Sequence, residues 1–541
     1  MPIFSSVKVK KPRRSTFDLS HERLLTTRIG RLTPILCQEV IPGDTFRLNT
    51  ALFARLLPLQ TPAMAQFDIY THFFFVPNRL LWDKWEDFIT GGKDGLAKPV
   101  FPTTSYSAIA GNGASMVQAG SNLDYLGFPS YDGTNIAGLS DANHISQLPF
   151  RALGCIWNEY YRDESIDPEI DFGFNLSGHL SKIGANLLPL FQPMYRRWKK
   201  DYFTSALPWP QRGADVLLPY EADIVFNPNG KTYVHDSSYT DQGASRALYS
   251  NAENGDNFPA DVNGQLTSSP SNSGIVGVKN PITIDNSRNL ELESRSATVN
   301  ELRRSLKVQE WLEKNARGGY RYIEQILSHF GVRSSDSRLQ RPEYLGGGKT
   351  PINISEIPQT SEGTAESPQG TLVGKGTSIG FNHSFKRFFE EHGIIIGLMS
   401  IVPKSLYMQG MPRFFTKFDK FDFAWPEFGN LGEQEIRQDE IYYNPSAHTD
   451  ENEALFGYTP RYAEYKYAPS TVHGQFRTSL TQWHSARIFT NNPRLNADFL
   501  AVRPEQFGRL FAVDDEDNIL VQLRHNIKSK RTLPYYGTPR I

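Results

Sequence analysis

Apolar and polar residues in the first eighty positions follow the period of a β-strand. Ile35 to Val40 is a short apolar run, Pro42-Gly43-Asp44 is a turn, and Phe46 and Leu48 then alternate with Arg47 and Asn49. The clearest pattern lies between Phe67 and Val76. There Phe67, Ile69, Thr71, Phe73 and Phe75 share one parity and Asp68, Tyr70 and His72 the other, which predicts a strand with one buried face that ends at Pro77. Helical spacing interrupts this rhythm. Leu81, Trp85, Phe88 and Ile89 form a stripe stopped by Gly91-Gly92. Phe150, Leu153, Trp157, Tyr160 and Tyr161 form a second, and Ile323, Ile326, Leu327 and Phe330 a third, closed by Gly331. All three predict helices whose rings pack in a core. Strand signals return in the last third: Ile394 to Val402 reads as a fully buried strand. Phe511 to Val513, the acidic turn Asp514 to Asn518, and Ile519, Val521 and Leu523 read as a hairpin.

Strands at both ends, helices and loops between them, and no regular strand–helix rhythm predict an all-β core of sandwich type with large insertions. Four segments follow from the composition. Residues 1–28 begin with a basic arm, because Lys8, Lys10, Lys11, Arg13 and Arg14 precede the first acid, Asp18. Residues 29–225 carry the first part of the core, and 290–541 the remainder with a basic C-terminal tail. Residues 226–289 are dense in Asn, Gly, Ser, Asp and Thr and read as a surface insertion.

The chain has 541 residues, 39% of them hydrophobic, with 35 Phe, 24 Tyr and 8 Trp, which excludes global disorder. The 57 Lys and Arg nearly balance 58 Asp and Glu, which argues against a surface coated all over with nucleic acid and leaves local basic patches open. Two such patches stand out. One is the arm; the other is Arg524, His525, Lys528, Lys530 and Arg531, with Tyr535 and Tyr536 beside it. Cations meet phosphates without reading sequence, and aromatic faces stack single-stranded bases. A solvated, partnerless tail is the bland alternative.

Candidate chemistry is thin. Gly376-Thr377-Ser378-Ile379-Gly380 satisfies the G-x-S-x-G pattern of serine hydrolases, with Asp419 or Asp422 and His473 or His484 following in the order those enzymes use. The chain lacks the α/β rhythm and the HGGG-type oxyanion segment that this pattern needs, so a hydrolase built on Ser378 stands as an alternative only. Gly346-Gly347-Gly348-Lys349-Thr350 fails as a phosphate loop, because Glu343 occupies the first glycine position and Pro351 follows, and it reads as a flexible glycine loop. The 12 His are scattered without a ligand spacing, so no motif calls for a metal or a cofactor. Cys37 and Cys155 are too few for a disulfide framework, which points to free thiols in a reducing compartment. The longest apolar run, Gly393 to Val402, is about half the length of a membrane span, and no signal-peptide pattern precedes the core.

Several blocks are more specific. Ser15-Thr16-Phe17-Asp18 with Ser20-His21, Glu39-Val40-Ile41-Pro42-Gly43-Asp44-Thr45-Phe46, and Phe73-Phe74-Phe75-Val76-Pro77-Asn78-Arg79 with Trp82 and Trp85 come first. Further blocks run from Asp201 to Gln211, Ser328 to Val332, Arg338 to Gly347, Glu391 to Gly393 and Ala463 to Tyr467, with Trp483-His484 after them. Together they resemble the major capsid protein of the Microviridae, small single-stranded DNA phages, and most of all its gokushovirus-like branch. The C-terminal end, Pro534 to Ile541, departs from that branch's pattern.

The resemblance implies a single jelly-roll β-barrel of viral capsid type, with long inter-strand insertions containing helices. It implies a non-enzymatic, self-assembling T=1 icosahedral shell around a circular single-stranded DNA genome, with a small DNA-binding protein and a pilot protein as further virion partners. It also implies a virion component assembled in the host bacterial cytoplasm and not inserted in a membrane. One long insertion of that branch projects outward and is thought to meet a host surface receptor. Segment 226–289 sits where it is expected, and Asn229, Asp236, Tyr239, Tyr249 and Asp261 are its candidate contacts. Lys8, Lys10, Lys11, Arg13, Arg14, Arg524, Lys528, Lys530 and Arg531 are the candidate DNA contacts. A stand-alone jelly-roll lectin or single-stranded DNA binder is the remaining alternative.

Overall fold

The computed structural model describes residues 14–131, 141–214, 216, 221–226, 231–235, 246–249, 283–284, 290–295, 299–319, 321–360, 369–446, 448–513 and 516–536. Among the described residues nine strands make the main sheet: β1 Ser15–Asp18, β2 His21–Thr27, β3 Thr33–Val40, β4 Thr45–Leu56, β5 Phe67–Pro77, β6 Glu343–Pro358, β7 Leu372–Phe388, β8 Gly393–Pro403 and β9 Ile519–Arg531. Every pairing between them is antiparallel. The spatial order is β2-β9-β4-β7 continuing into β6-β5-β8-β3, with β1 on the far end of β9. Two four-stranded runs joined at the β6–β7 hairpin, with the first and last long strands adjacent, is the jelly-roll order. The expected fold is the one observed.

Alternation sets the barrel interior. On β9 every second residue from Ile519 to Ser529 is buried and the residues between them are exposed, and β4 repeats the pattern. Phe46, Leu48, Leu52, Phe67, Phe73, Phe75, Ile395, Ile401, Val521 and Leu523 meet inside. Two imidazoles are built into this interior. His525 Nε2 lies 3.1 Å from the Ile35 carbonyl oxygen and its Nδ1 2.9 Å from Thr50 Oγ1. A carbonyl only accepts, so Nε2 carries the proton and Nδ1 accepts from the threonine hydroxyl. His383 is buried between Thr71 and Thr350 in the same manner.

The sheet β3-β8-β5 has a second core on its outer side. Phe74, Val76, Ile394, Ile396 and Leu398 point away from the barrel and pack on Phe150, Leu153, Ile156 and Trp157. Those residues belong to α2 Leu148–Ile156 and the turn after it, in the long insertion between β5 and β6 that also holds α1 Trp85–Thr90 and α3 Val299–Gly318. α1 ends at Gly91 in the left-handed conformation (φ 80°), as the glycine pair predicts, and α2 runs on into a π-turn over Trp157–Tyr161. With both faces covered, β8 is buried along its whole length, whereas β5 is buried on two faces where its alternation predicts one. Asp68, on the polar parity of β5, is buried against Lys199 (2.7 Å) and Lys349 (3.0 Å), and Lys199 lies over Tyr70.

Four other expectations are corrected. Gly346 to Thr350 is part of β6, because Gly348 lets the strand pass over the His383 ring where a Cβ would collide. Phe511 forms an isolated bridge to Leu59 and no hairpin strand, so β9 pairs with β2 and β4. The third helical stripe forms as Tyr322–Gln325 and a π-turn ending at Gly331, but Leu327 and Phe330 in it, like Phe88 and Ile89 in the first stripe, are exposed instead of packed in a core. Arg524, His525, Lys528, Lys530 and Arg531 belong to a central strand instead of a tail.

The chain divides into two compact units, residues 1–212 with 313–541, and residues 213–312. In the second unit Glu221–Phe226 pairs with Leu290–Arg295, and Lys231–His235 pairs with Arg246–Tyr249 and Thr283–Ile284. Among the described residues no helix is long and apolar enough to cross a membrane.

Candidate nucleic-acid interface

The outward positions of β9, β4 and β7 lie side by side. On β9 they are Leu520, Gln522, Arg524, Asn526, Lys528 and Lys530, all exposed. Register sets Arg55 opposite Leu520, Phe53 opposite Gln522, Asn49 opposite Asn526 and Arg47 opposite Lys528. Across β4, Ile379 faces Phe53 and Lys386 faces Arg47, and Lys375 lies further along β7. Phe381, two residues on from Ile379 and on the same parity, is 68% exposed, and the bulge between Gly380 and His383 moves the outward parity on to Ser384 and Lys386. Arg14 reaches the same place, its guanidinium 5.3 Å from the centre of the exposed Phe388 ring.

Strand pairing thus makes a face of cations interleaved with rings and aliphatic side chains. Among the described outward residues of β1, β2, β9, β4 and β7, the acids are Asp18 and Glu22, both at the β1–β2 edge. Glu22 stands 3.9 Å from Arg524, an exposed pair of little energetic weight. The opposite parity decides the fate of Arg531. Its Nε lies 3.1 Å from the buried Asp44 carboxylate, it donates to the Glu39 carbonyl at 2.8 Å, and it covers Phe46. Burial pushes the Asp44 carboxyl above its ordinary range against the pull of Arg531, so that cation holds an internal carboxylate.

Of the candidate DNA contacts, Arg14, Arg524, Lys528 and Lys530 come together on this sheet, Arg531 is half-buried behind it, and Lys8, Lys10, Lys11 and Arg13 lie outside the described residues. Sequence reasoning missed Arg47, Arg55, Lys375 and Lys386. The alternation around Arg47 showed its parity, but no local signal reports that β4 lies between β9 and β7. Tyr535 stacks on Phe17 at 5.9 Å, and Tyr536 is 81% exposed. Asn229, Asp236, Tyr239 and Asp261 also lie outside the described residues, and Tyr249 ends a strand opposite Lys231.

The hydrolase alternative fails on geometry. Ser378 is buried in the middle of β7 and its Oγ donates to the Pro351 carbonyl at 2.8 Å. His484 uses both nitrogens locally, Nε2 donating to the Phe476 carbonyl and Nδ1 accepting from the Ala486 amide. No strand–turn–helix elbow surrounds the serine.

A jelly-roll unit with one sheet sheathed by helices and the other displaying cations has the architecture of a viral coat subunit, an architecture shared with lectins and cupins, and similarity to known proteins decides between them. The chain belongs to the phage family described as Capsid protein (F protein), whose family model matches residues 5–541. It is 35% identical to Capsid protein VP1 of Chlamydia phage 1, over 99% of this chain and 97% of that one. It is also 35% identical to Capsid protein VP1 of Bdellovibrio phage phiMH2K, over 97% and 95% of the two chains. Capsid protein VP1 of Spiroplasma virus 4 is similar at 28% over 99% and 97%. The resemblance to gokushovirus-like Microviridae holds over the whole length: the chain is a structural capsid protein and a virion component, and not an enzyme.

Proposed function

We propose that this chain is the major shell subunit of a T=1 icosahedral particle that encloses a circular single-stranded DNA genome, with the exposed face of β9, β4 and β7 turned inward to the DNA. The observation that carries this reading is the union of Arg47, Arg55, Lys375, Lys386, Arg524, Lys528 and Lys530 with exposed Phe381 and Phe388 on one sheet. Cations there neutralise phosphates whatever the sequence, and rings of that exposure stack unpaired bases. The arm through Lys8, Lys10, Lys11, Arg13 and Arg14 extends the same field. Segment 226–289 faces outward toward a host receptor, a small DNA-binding protein and a pilot protein complete the particle, and assembly takes place in the host cytoplasm.

Reversing Arg524, Lys528 and Lys530 to Glu tests the inward face. Particles then carry less DNA, and binding of the unassembled chain to an oligonucleotide loses about 0.7 of its log–log salt slope per lost phosphate contact. Unchanged DNA content with an unchanged slope overturns the assignment. For the outward segment, excising residues 229–281 from an assembled particle lowers adsorption to host cells, and equal adsorption removes the host role.

A further inference from the structure

A second exposed surface has a different chemistry. In the insertion between β8 and β9, the stretch from Arg413 to Leu431 presents Phe414, Phe415, Phe418, Phe421, Phe423 and Trp425, each about half exposed or more and Phe418 88% exposed. The backbone that carries them is held in place. Asp422 accepts from the backbone amides of Phe418 (2.9 Å) and Asp419 (2.8 Å), and the Trp425 indole donates to the Lys420 carbonyl at 2.8 Å. The Trp425 amide donates to Tyr462 Oη at 3.2 Å. Beneath them the Lys417 ammonium, almost wholly buried, binds Glu464 at 2.9 Å and lies 4.2 Å from the centre of the Tyr465 ring. Arg413 is likewise taken by Glu440 at 3.0 Å.

Charge excludes a nucleic acid here. Arg413, Lys417 and Lys420 are matched within the stretch by Asp419, Asp422 and Glu427, and two of the three cations are bound to carboxylates elsewhere in the subunit. No surplus of positive charge is left for a phosphate chain. Area points to a protein partner. With Tyr465 and Tyr467, also more than half exposed, eight rings of roughly 200 Å² each leave about 1,000 Å² of mainly apolar surface in water. A typical monomer's largest apolar patch is about 300–600 Å², and one side of a stable protein interface is about 800 Å².

We propose that this aromatic belt is a contact surface between copies of the chain, covered by a second copy in the assembled shell. The proposal rests on the shell reading above and adds the surface that does the joining. The backbone that carries its rings is fixed before contact, so association orders little main chain and keeps more of the gain from burial.

Thiol accessibility tests it, since Cys155 is buried and Cys37 partly so, which gives a low background measured on the parent. Phe418→Cys and, as a second position, Ala424→Cys are introduced separately into the full chain. Each is treated with a polyethylene glycol maleimide as unassembled subunit and as purified particle. The expected result is rapid modification of the unassembled subunit and at least tenfold slower modification in particles at both positions. A variant that melts like the parent yet forms no particles also supports the belt. Equal modification rates in the two states overturn it while leaving the shell reading intact. A parent chain that forms no particles under any condition overturns the shell reading itself.

Discussion

On the β3-β8-β5 sheet the outward residues are Phe74, Val76, Ile394, Ile396 and Leu398, and an insertion rich in helices and rings covers them. On the β9-β4-β7 sheet the equivalent positions are Arg47, Arg55, Arg524, Lys528, Lys386 and Phe381, and they remain exposed. Both sheets use the same alternation toward the interior. The difference shows that a jelly roll's inner parity is set by the need for a core, whereas each outer parity is set by what covers it. Apolar outer residues ask for a permanent cover from the same chain. Charged ones leave the face open to a soluble partner, and on this chain that open face is the one proposed to meet DNA.

Truncating a ring on each face is the sharpest test of this contrast. Phe74→Ala opens a cavity in a sealed core and lowers unfolding free energy by about 3–5 kcal/mol, whereas Phe381→Ala on the open face changes it by less than about 0.5 kcal/mol. Denaturant unfolding of the unassembled chain measures both, and equal costs would erase the distinction.

The next effect concerns the interior that the two sheets share. Burial among apolar neighbours depresses His525 to about 4, below its usual 6.5, and also lowers His383. The unfolded chain therefore binds protons that the folded chain refuses. Stability is full above about pH 6.5, declines as pH falls through that window and levels off below about 4, with a contribution from His525 on the order of 3 kcal/mol. A His525→Gln variant, compared with the parent in melts from pH 7 to 4, shows a shallower acid decline, and an identical slope contradicts the assignment.

A smaller effect separates the two kinds of cation at the end of β9. Lys528→Ala leaves thermal stability nearly unchanged and reduces the salt slope of oligonucleotide binding by about 0.7. Arg531→Ala leaves that slope alone and destabilises the fold by about 1–3 kcal/mol, because Asp44 is left buried without its partner. The smallest change is at Ser378. Removing its 2.8 Å hydrogen bond to Pro351 by Ser378→Ala costs about 1 kcal/mol and abolishes no ester turnover, which an esterase assay on the parent checks.

Much of the barrel was legible in the chain because burial imposes period two wherever one face meets the core. Phe67 to Val76, Ile394 to Val402 and Ile519 to Leu523 all announced themselves, as did the helix stops at Gly91 and Gly331. What stayed hidden depends on contacts distant in sequence. Local pattern could not show that β5 is covered twice, that β9 inserts between β2 and β4, or that Gly348 is a strand residue under His383. α3 went unread because its apolar residues, Leu302, Leu306 and Trp311, are sparse in a polar stretch and exposed. The candidate interface was half legible. Its clusters at Arg14 and Arg524 to Lys530 were visible, but Arg47, Arg55, Lys375 and Lys386 joined them only through register.

The placement of β9 has a consequence for manufacture. Ser20 and Asn526 are hydrogen-bonded across 506 positions, and β9, the last of the nine strands to leave the ribosome, fills the gap between β2 and β4. At roughly 5–20 residues per second, the slot stays vacant for tens of seconds during synthesis. A polypeptide cut short before Ile519 has no means of sealing it. Topology alone thus leaves an unfinished translation product without a closed barrel, a completeness check written into the strand order.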